Sequence, residues 1–193
     1  FQVSLDKHLT RNSKSILGAD LSISSRRLMP EKKLKELEQM LPSPWKGSKK
    51  IHFVTMAANG SKSRLIQMVA IEGEFPFYGS LILDSLGKTN PEVVEEELIQ
   101  KGKLWAYPEL LITLGLKIGD TLKLGDMDFI VSDTVLEDPS SSFNTFGVAP
   151  RVYVGLPQAE QSGLLTKKSR VNYEKLYKLP ELQNIQNLEN ELE

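Results

Sequence analysis

The stretch that most constrains this chain runs from Trp105 to Val131, WAYPELLITLGLKIGDTLKLGDMDFIV. Within it, Thr121 to Leu124 and Met127 to Val131 alternate apolar with polar around Gly125-Asp126, the pattern of two short strands joined by a two-residue hairpin loop. Closing that loop with Leu124 opposite Met127 sets Leu122 across from Phe129 on one face and Lys123 across from Asp128 on the other. Burial of a large apolar side chain contributes roughly 1.5 to 3 kcal/mol, whereas an exposed ion pair contributes at most about 1 kcal/mol, so the apolar face sets the register. Upstream, Pro108-Glu-Leu-Leu-Ile-Thr-Leu opens with Pro at a first helical position and stops at Gly115, which predicts one or two helical turns. The unit is strand, short helix, turn, hairpin.

At 193 residues the chain is long enough for one large or two small domains with a sizeable core. Lys and Arg number 24 against 25 Asp and Glu, a net charge of -1, which gives no general attraction for nucleic acid or anionic lipid. The absence of cysteine excludes disulfides, thiolate metal sites and cysteine nucleophiles. No apolar run approaches the roughly 20 residues that cross a bilayer, and no signal peptide is visible. The sequence starts at Phe1 rather than Met and breaks off within a helix-like pattern at 180–193, as expected of a piece of a longer polypeptide.

Taken in order, Phe1, Leu5 and Leu9 recur every four residues and predict an amphipathic helix closing near Gly18. Asp20 to Ser24 alternates as a strand. From Pro30, Leu34, Leu37 and Leu41 form one stripe of a helix whose charged residues, Glu31 to Glu38, read as a solvated face. Ile51 to Met56 and Leu65 to Ile71 flank Asn59-Gly60 as a second hairpin, expected with a longer tip. Beyond Glu72-Gly73 lie an aromatic turn, Phe75-Pro76-Phe77-Tyr78-Gly79, a short strand at Leu81 to Leu83, and an acidic helix with Thr89 and Glu92 spaced as a capping box. Arg151 to Gly155 alternates as a strand, Pro157 to Leu165 reads as a helical turn or irregular connection, and Ser169 to Leu179 as a returning strand. Leu182, Ile185, Leu188 and Leu192 stripe a final helix. The expected class is α+β: an α/β lobe at 19–72 and 168–193, interrupted by a β-rich inserted lobe at 73–167.

Nothing points to catalysis. The two histidines, His8 and His52, sit in different contexts, which disfavours a His-based metal cluster. Asp126 and Asp128 could hold a divalent cation, but one is a turn residue and the other faces solvent. Asn59-Gly-Ser61 matches a glycosylation acceptor, yet turn chemistry already accounts for Asn-Gly. There is no Gly-x-Ser-x-Gly elbow, phosphate-binding loop or zincin helix. The aromatic residues Phe75, Phe77, Tyr78, Trp105 and Tyr107 cluster early in the insert, and Phe143 and Phe146 lie in a Ser-rich loop. They are candidate contacts for a partner or cargo, or else they seal the insert's own core. Arg151 joins this set, with Asp133 or Glu137 as alternative structural partners.

Six motifs then occur in a fixed order: Leu17-Gly-Ala-Asp-Leu-Ser-Ile-Ser, Phe75-Pro-Phe-Tyr-Gly, Leu104-Trp-Ala-Tyr-Pro-Glu-Leu-Leu, Leu116-Lys-Ile-Gly-Asp-Thr-Leu-Lys-Leu-Gly, Ala149-Pro-Arg-Val-Tyr-Val and Ser162-Gly-Leu-Leu. Together they resemble the periplasmic domain of FtsX/MacB-type ABC transporter permeases, in particular the YbbP-like group. The resemblance implies a porter-like α/β lobe with an inserted β-rich lobe, and residues 1–18 as a helical extension of a preceding membrane helix. It also implies an inner-membrane protein whose periplasmic part is this chain, with a separate cytoplasmic ATPase, a second permease copy, no cofactor and no bond-making chemistry of its own. Motion driven by ATP would be coupled to export or extraction of hydrophobic or lipid-like compounds. The alternative is a periplasmic lipid- or protein-binding module using the aromatic residues of the insert.

Overall fold

The computed structural model describes residues 2–4, 17–140, 149–166 and 169–180, for 2–4 the backbone alone. The strands are β1 Gln2–Ser4, β2 Leu21–Ser25, β3 Lys46–Asn59, β4 Lys62–Glu72, β5 Ile82–Leu83, β6 Gly87–Lys88, β7 Leu104–Ala106, β8 Thr121–Leu124, β9 Met127–Glu137, β10 Arg151–Gly155 and β11 Asn172–Lys178. Helices are α1 Glu31–Met40, α2 Pro91–Val94 running into a π-helical turn at Glu95–Gln100, α3 Pro108–Leu114 and α4 Leu156–Gln161. The strands join in one mixed sheet in the order β1-β2-β11-β3-β4-β10-β7-β9-β5-β6, with β8 paired to β9 and touching β3. The fold is α+β, as the sequence predicts.

The two hairpins form where the alternation places them. Leu124 faces Met127, Lys123 faces Asp128 and Leu122 faces Phe129, with Leu122 and Phe129 fully buried. Gly125 takes φ 61 while none of the described non-glycine residues has positive φ, so the loop follows the type II′ pattern with glycine first. The hairpin of β3 and β4 keeps its register up to Asn59 opposite Lys62. Its tip is therefore the two residues Gly60-Ser61 and not the longer loop expected.

β10 lies at the centre, parallel to β4 and antiparallel to β7. All of Arg151 to Gly155 is buried, so the alternation read in the sequence does not correspond to a solvent face. Both faces of the sheet are covered here, as is usual where parallel strands pair. Val152 and Val154 enter one core with Ile51, Phe53, Ile66, Met68, Leu104 and Phe129. Tyr153 enters a second with Val69, Ile71, Phe75, Leu98 and Trp105. The β4 to β10 pairing thus joins the segment at 19–72 to the segment at 73–167 through shared cores. A third cluster, Leu21, Ile23, Met29, Leu41 and Tyr177, is covered by Leu34 and Leu37 of α1, with Trp45 edge-on to Tyr177 at 5.4 Å.

Two further expectations change. Gln2–Ser4 is extended and pairs antiparallel with β2 at Ser22 to Ser24, where the sequence predicts helix. The rest of that predicted helix up to Ile16, and the final helix from Leu182 to Leu192, lie outside the described residues. The cap of α2 is Asn90, whose Oδ1 accepts from the Val93 amide at 2.9 Å, because Thr89 is already engaged. The Thr89 amide donates to the Leu81 carbonyl at 2.9 Å and its Oγ1 accepts from the Leu81 amide at 3.2 Å.

Candidate functional site

Two arrangements of polar and aromatic side chains stand out. The first is a buried clamp on Asp138, just past the end of β9. Its Oδ2 accepts from Arg151 Nη1 at 2.5 Å, Tyr153 Oη at 2.6 Å and Tyr107 Oη at 2.8 Å. Its Oδ1 accepts from the Ser140 amide and hydroxyl at 2.8 and 2.7 Å. Arg151 also donates from Nε to Gln67 Oε1 at 2.9 Å, and from Nη1 and Nη2 to the Ser140 hydroxyl and carbonyl at 2.9 and 3.3 Å. Burial by itself would push the Asp138 carboxyl up, but the Arg151 charge and the donors from Ser140, Tyr153 and Tyr107 outweigh it and hold the carboxyl below the usual range. Burial and the Asp138 charge push the Tyr107 and Tyr153 hydroxyls above theirs. The carboxylate stays ionised, paired with Arg151, and both phenols stay protonated.

What the clamp does is hold backbone. It ties Ser140 to the sheet, while the Gln67 amide donates to the Pro150 carbonyl at 3.0 Å, so both flanks of 141–148 are fixed to β4 and β10. Phe143 and Phe146, named as candidate contacts, fall in that segment and lie outside the described residues. Arg151 is 7% exposed, with Asp138 and not Asp133 or Glu137 as its partner. Asp133 instead accepts from the amides of Ser85 and Leu86, both at 3.0 Å, and fixes the turn between β5 and β6.

The second arrangement is the aromatic turn. Phe75 and Trp105, 2% and 0% exposed, belong to the second core, in line with the alternative in which the rings seal the insert's own core. Tyr107 is half-buried and spent on Asp138. Phe77 and Tyr78 remain at the surface. The Phe77 amide donates to the Gly18 carbonyl at 2.9 Å, and Tyr78 Oη donates to Asp20 Oδ2 at 2.7 Å. Asp20 Oδ2 also accepts from the Leu179 amide at 2.9 Å. Beside this turn lies an open cavity of about 430 Å³, walled by Pro76, Phe77 and Pro91 and edged by Glu74, Lys88 and Lys178. Sequence reasoning missed Lys88 and Lys178, since nothing local marks a lysine at a strand end as part of a cavity.

His52, the one histidine described, lies 3.3 Å from Glu174, which also pairs with Lys50 at 2.7 Å. Burial lowers its pKa despite the carboxylate. Among the described residues no group of three or more His, Asp or Glu side chains is placed to hold a metal ion, and no helix is long and apolar enough to cross a membrane.

No protein-family model matches the chain. It is 30% identical over 169 residues to the uncharacterized ABC transporter permease YbbP of Escherichia coli (strain K12), a match covering 88% of this chain and 20% of YbbP. The chain thus spans about a fifth of that relative's length. In fold it is similar to the periplasmic region of MacB from Actinobacillus actinomycetemcomitans, with TM-score 0.55 and 13% identity over 95% of this chain and 86% of that one. It is also similar to the extracellular domain of the ABC-type transporter YknZ from Gram-positive bacteria, with TM-score 0.52 and 10% identity over 84% of this chain and 77% of that one. At these identities the likeness to MacB and YknZ is one of fold.

Proposed function

The chain is a homologue of the YbbP ABC transporter permease with the fold of the MacB and YknZ extracytoplasmic domains, and from this premise we propose that it is a non-catalytic, force-transmitting domain of such a permease. A separate cytoplasmic ATPase supplies the energy, two permease copies act together, and the motion serves export or extraction of a hydrophobic or lipid-like compound. The observation that carries the reading is the joint at Asp20. Its carboxylate ties the segment leading into β2 to the Leu179 amide just past β11, while β2 and β11 pair antiparallel from Leu21 opposite Tyr177 to Ser25 opposite Tyr173. A displacement delivered to either flank enters adjacent strands of one sheet and passes on through β3, β4 and β10. The Asp138 clamp, with its carboxylate paired with Arg151, fits a part that carries load and does no chemistry.

The test uses the full-length permease with its ATPase in proteoliposomes. Asp20→Ala is expected to leave ATP hydrolysis in place and to reduce transport of a hydrophobic dye. Equal transport by this variant would overturn the mechanism, and a parent polypeptide without hydrophobic spans flanking this segment would overturn the assignment. The second reading, a binding module for lipid or protein, draws on Phe77 at the cavity wall. Saturable binding lost in Phe77→Ala, without ATP-coupled motion, would favour it.

A further inference from the structure

We infer that the cavity beside the aromatic turn is a docking site for the phosphate headgroup of an anionic lipid. This rests on the permease reading, which sets the domain against a bilayer, and it assigns to one cavity what that reading leaves open. Three observations converge on it.

First, the cavity pairs an apolar wall with cations. Pro76, Phe77 and Pro91 form the wall, and Lys88 and Lys178 stand at the edge. Glu74, the acidic residue there, is bound by Lys46 at 2.7 Å and so does not cancel the two lysines. Lys88 has no ion pair among the described residues, and Lys178 Nζ stands 5.5 Å from the centre of the Tyr78 ring, an arrangement that leaves its charge available. Lys46 lies directly opposite Lys178 in the β3 to β11 pairing, which places the Lys46–Glu74 pair beside Lys178 with no net charge.

Second, the shape suits a headgroup better than a bare ion. A free phosphate would meet two flexible ammonium groups and leave the apolar wall in water, whereas a phospholipid places its phosphate on the lysines and its glycerol and first methylenes against Phe77 and the two prolines.

Third, the cavity lies where the flanks converge. The Phe77 amide is bonded to the Gly18 carbonyl, the neighbouring Tyr78 to Asp20, and Asp20 to Leu179, one residue beyond Lys178. In the permease reading the chain leaves β11 toward its following span past Leu179, so the cavity stands beside that exit. The overall charge of -1 gives no general attraction to anionic lipid, which makes a local, lysine-dependent affinity separable from background.

The experiment is flotation of the chain with vesicles of phosphatidylglycerol in phosphatidylcholine and with vesicles of phosphatidylcholine alone, for the wild type, Lys88→Gln, Lys178→Gln and the double variant. Both lysines are exposed, and circular dichroism checks that the variants fold. Each neutralisation is expected to weaken binding to the anionic vesicles by about fivefold and the pair by about 25-fold, since each lysine near an anionic surface contributes a factor of that order. Lys→Arg at both sites is expected to preserve binding. Wild-type binding without preference for phosphatidylglycerol, or a double variant that binds like the wild type, would overturn the inference. Titration with inorganic phosphate that saturates at the Gly79 and Ser80 amides by NMR, with no vesicle binding, would assign the site to a soluble anion and also overturn it. None of these outcomes bears on ATP-coupled transport, which tests the permease reading separately.

Discussion

Asp20 and Leu179 stand 159 positions apart, yet the Leu179 amide donates to Asp20 Oδ2 at 2.9 Å, and Tyr78 Oη donates to the same oxygen at 2.7 Å. One carboxylate therefore joins the segment before β2, the segment after β11 and the aromatic turn. Removing the acceptor leaves a partly buried amide and a phenol without it, at a cost of about 1 to 3 kcal/mol. Asp20→Ala is expected to lower the urea midpoint accordingly, with Asp20→Asn falling between it and the wild type because a carbonyl acceptor remains. Unchanged midpoints in both variants would remove this joint from the account of the fold.

The hairpin of β8 and β9 provides a test of which face sets register. Leu122 and Phe129 are opposite each other and fully buried, whereas Lys123 and Asp128 are opposite each other and exposed. Phe129→Ala is expected to cost about 3 to 5 kcal/mol, as for other buried aromatic truncations. Lys123→Ala and Asp128→Ala are each expected to cost less than about 1 kcal/mol. Chemical denaturation of the three variants measures the contrast, and comparable losses would mean that the charged face also specifies the pairing.

How far this structure was legible in the sequence follows from which interactions are local. The pairing of Leu122 with Phe129 is a period-2 pattern closed by a two-residue loop, so a short window contains all the information needed. The partner of Arg151 is different. Asp133, Glu137 and Asp138 are all near in sequence, and only the β7 to β9 and β4 to β10 pairings decide that Asp133 turns toward the β5 to β6 turn while Asp138 meets the guanidinium. The choice between contact and core for Phe75 and Trp105 is hidden from the sequence for the same reason. Aromatic clustering marks a hydrophobic load, but whether it seals a core depends on Val69, Ile71 and Leu98 arriving from elsewhere in the chain. The cap at Asn90 was displaced by one residue because Thr89 is held by Leu81, a contact that spacing cannot reveal.

The Asp138 clamp predicts a pH dependence with a definite sign. Its carboxyl titrates below the ordinary range in the folded chain, so the unfolded state binds a proton first as pH falls. The stabilisation is fully present above the unfolded carboxylate value, near 3.9, and is lost as pH drops through the lower folded value. Asp138→Asn is expected to remove that part of the acid dependence. At neutral pH it should cost about 3 to 5 kcal/mol, because Arg151 would stay buried without a counter-charge. Stability measured by denaturant from neutral to acid pH in both proteins checks this, and parallel curves would show that the acid transition is governed elsewhere.

The last expectation compares two glycines in equivalent places. Gly60 and Gly125 each open a two-residue hairpin loop with φ near 60, at 58 and 61, so alanine suffers similar left-handed strain at both, about 1 kcal/mol. Their surroundings differ. A Cβ on Gly60 would meet nothing within 4 Å, whereas one on Gly125 would collide with the Ser162 carbonyl oxygen and the Leu164 side chain. That carbonyl also accepts from the Asp126 amide at 2.8 Å, which seats the tip of the hairpin against the end of α4. Because the obstacle is backbone and cannot rotate away, Gly125→Ala must push the hairpin off this seat. It is expected to cost at least about 2 kcal/mol more than Gly60→Ala and to perturb the amide resonances of Asp126 and Ser162, which Gly60→Ala leaves in place. Equal losses for the two variants would mean that the seat at Ser162 contributes nothing to holding β8 and β9 against the core.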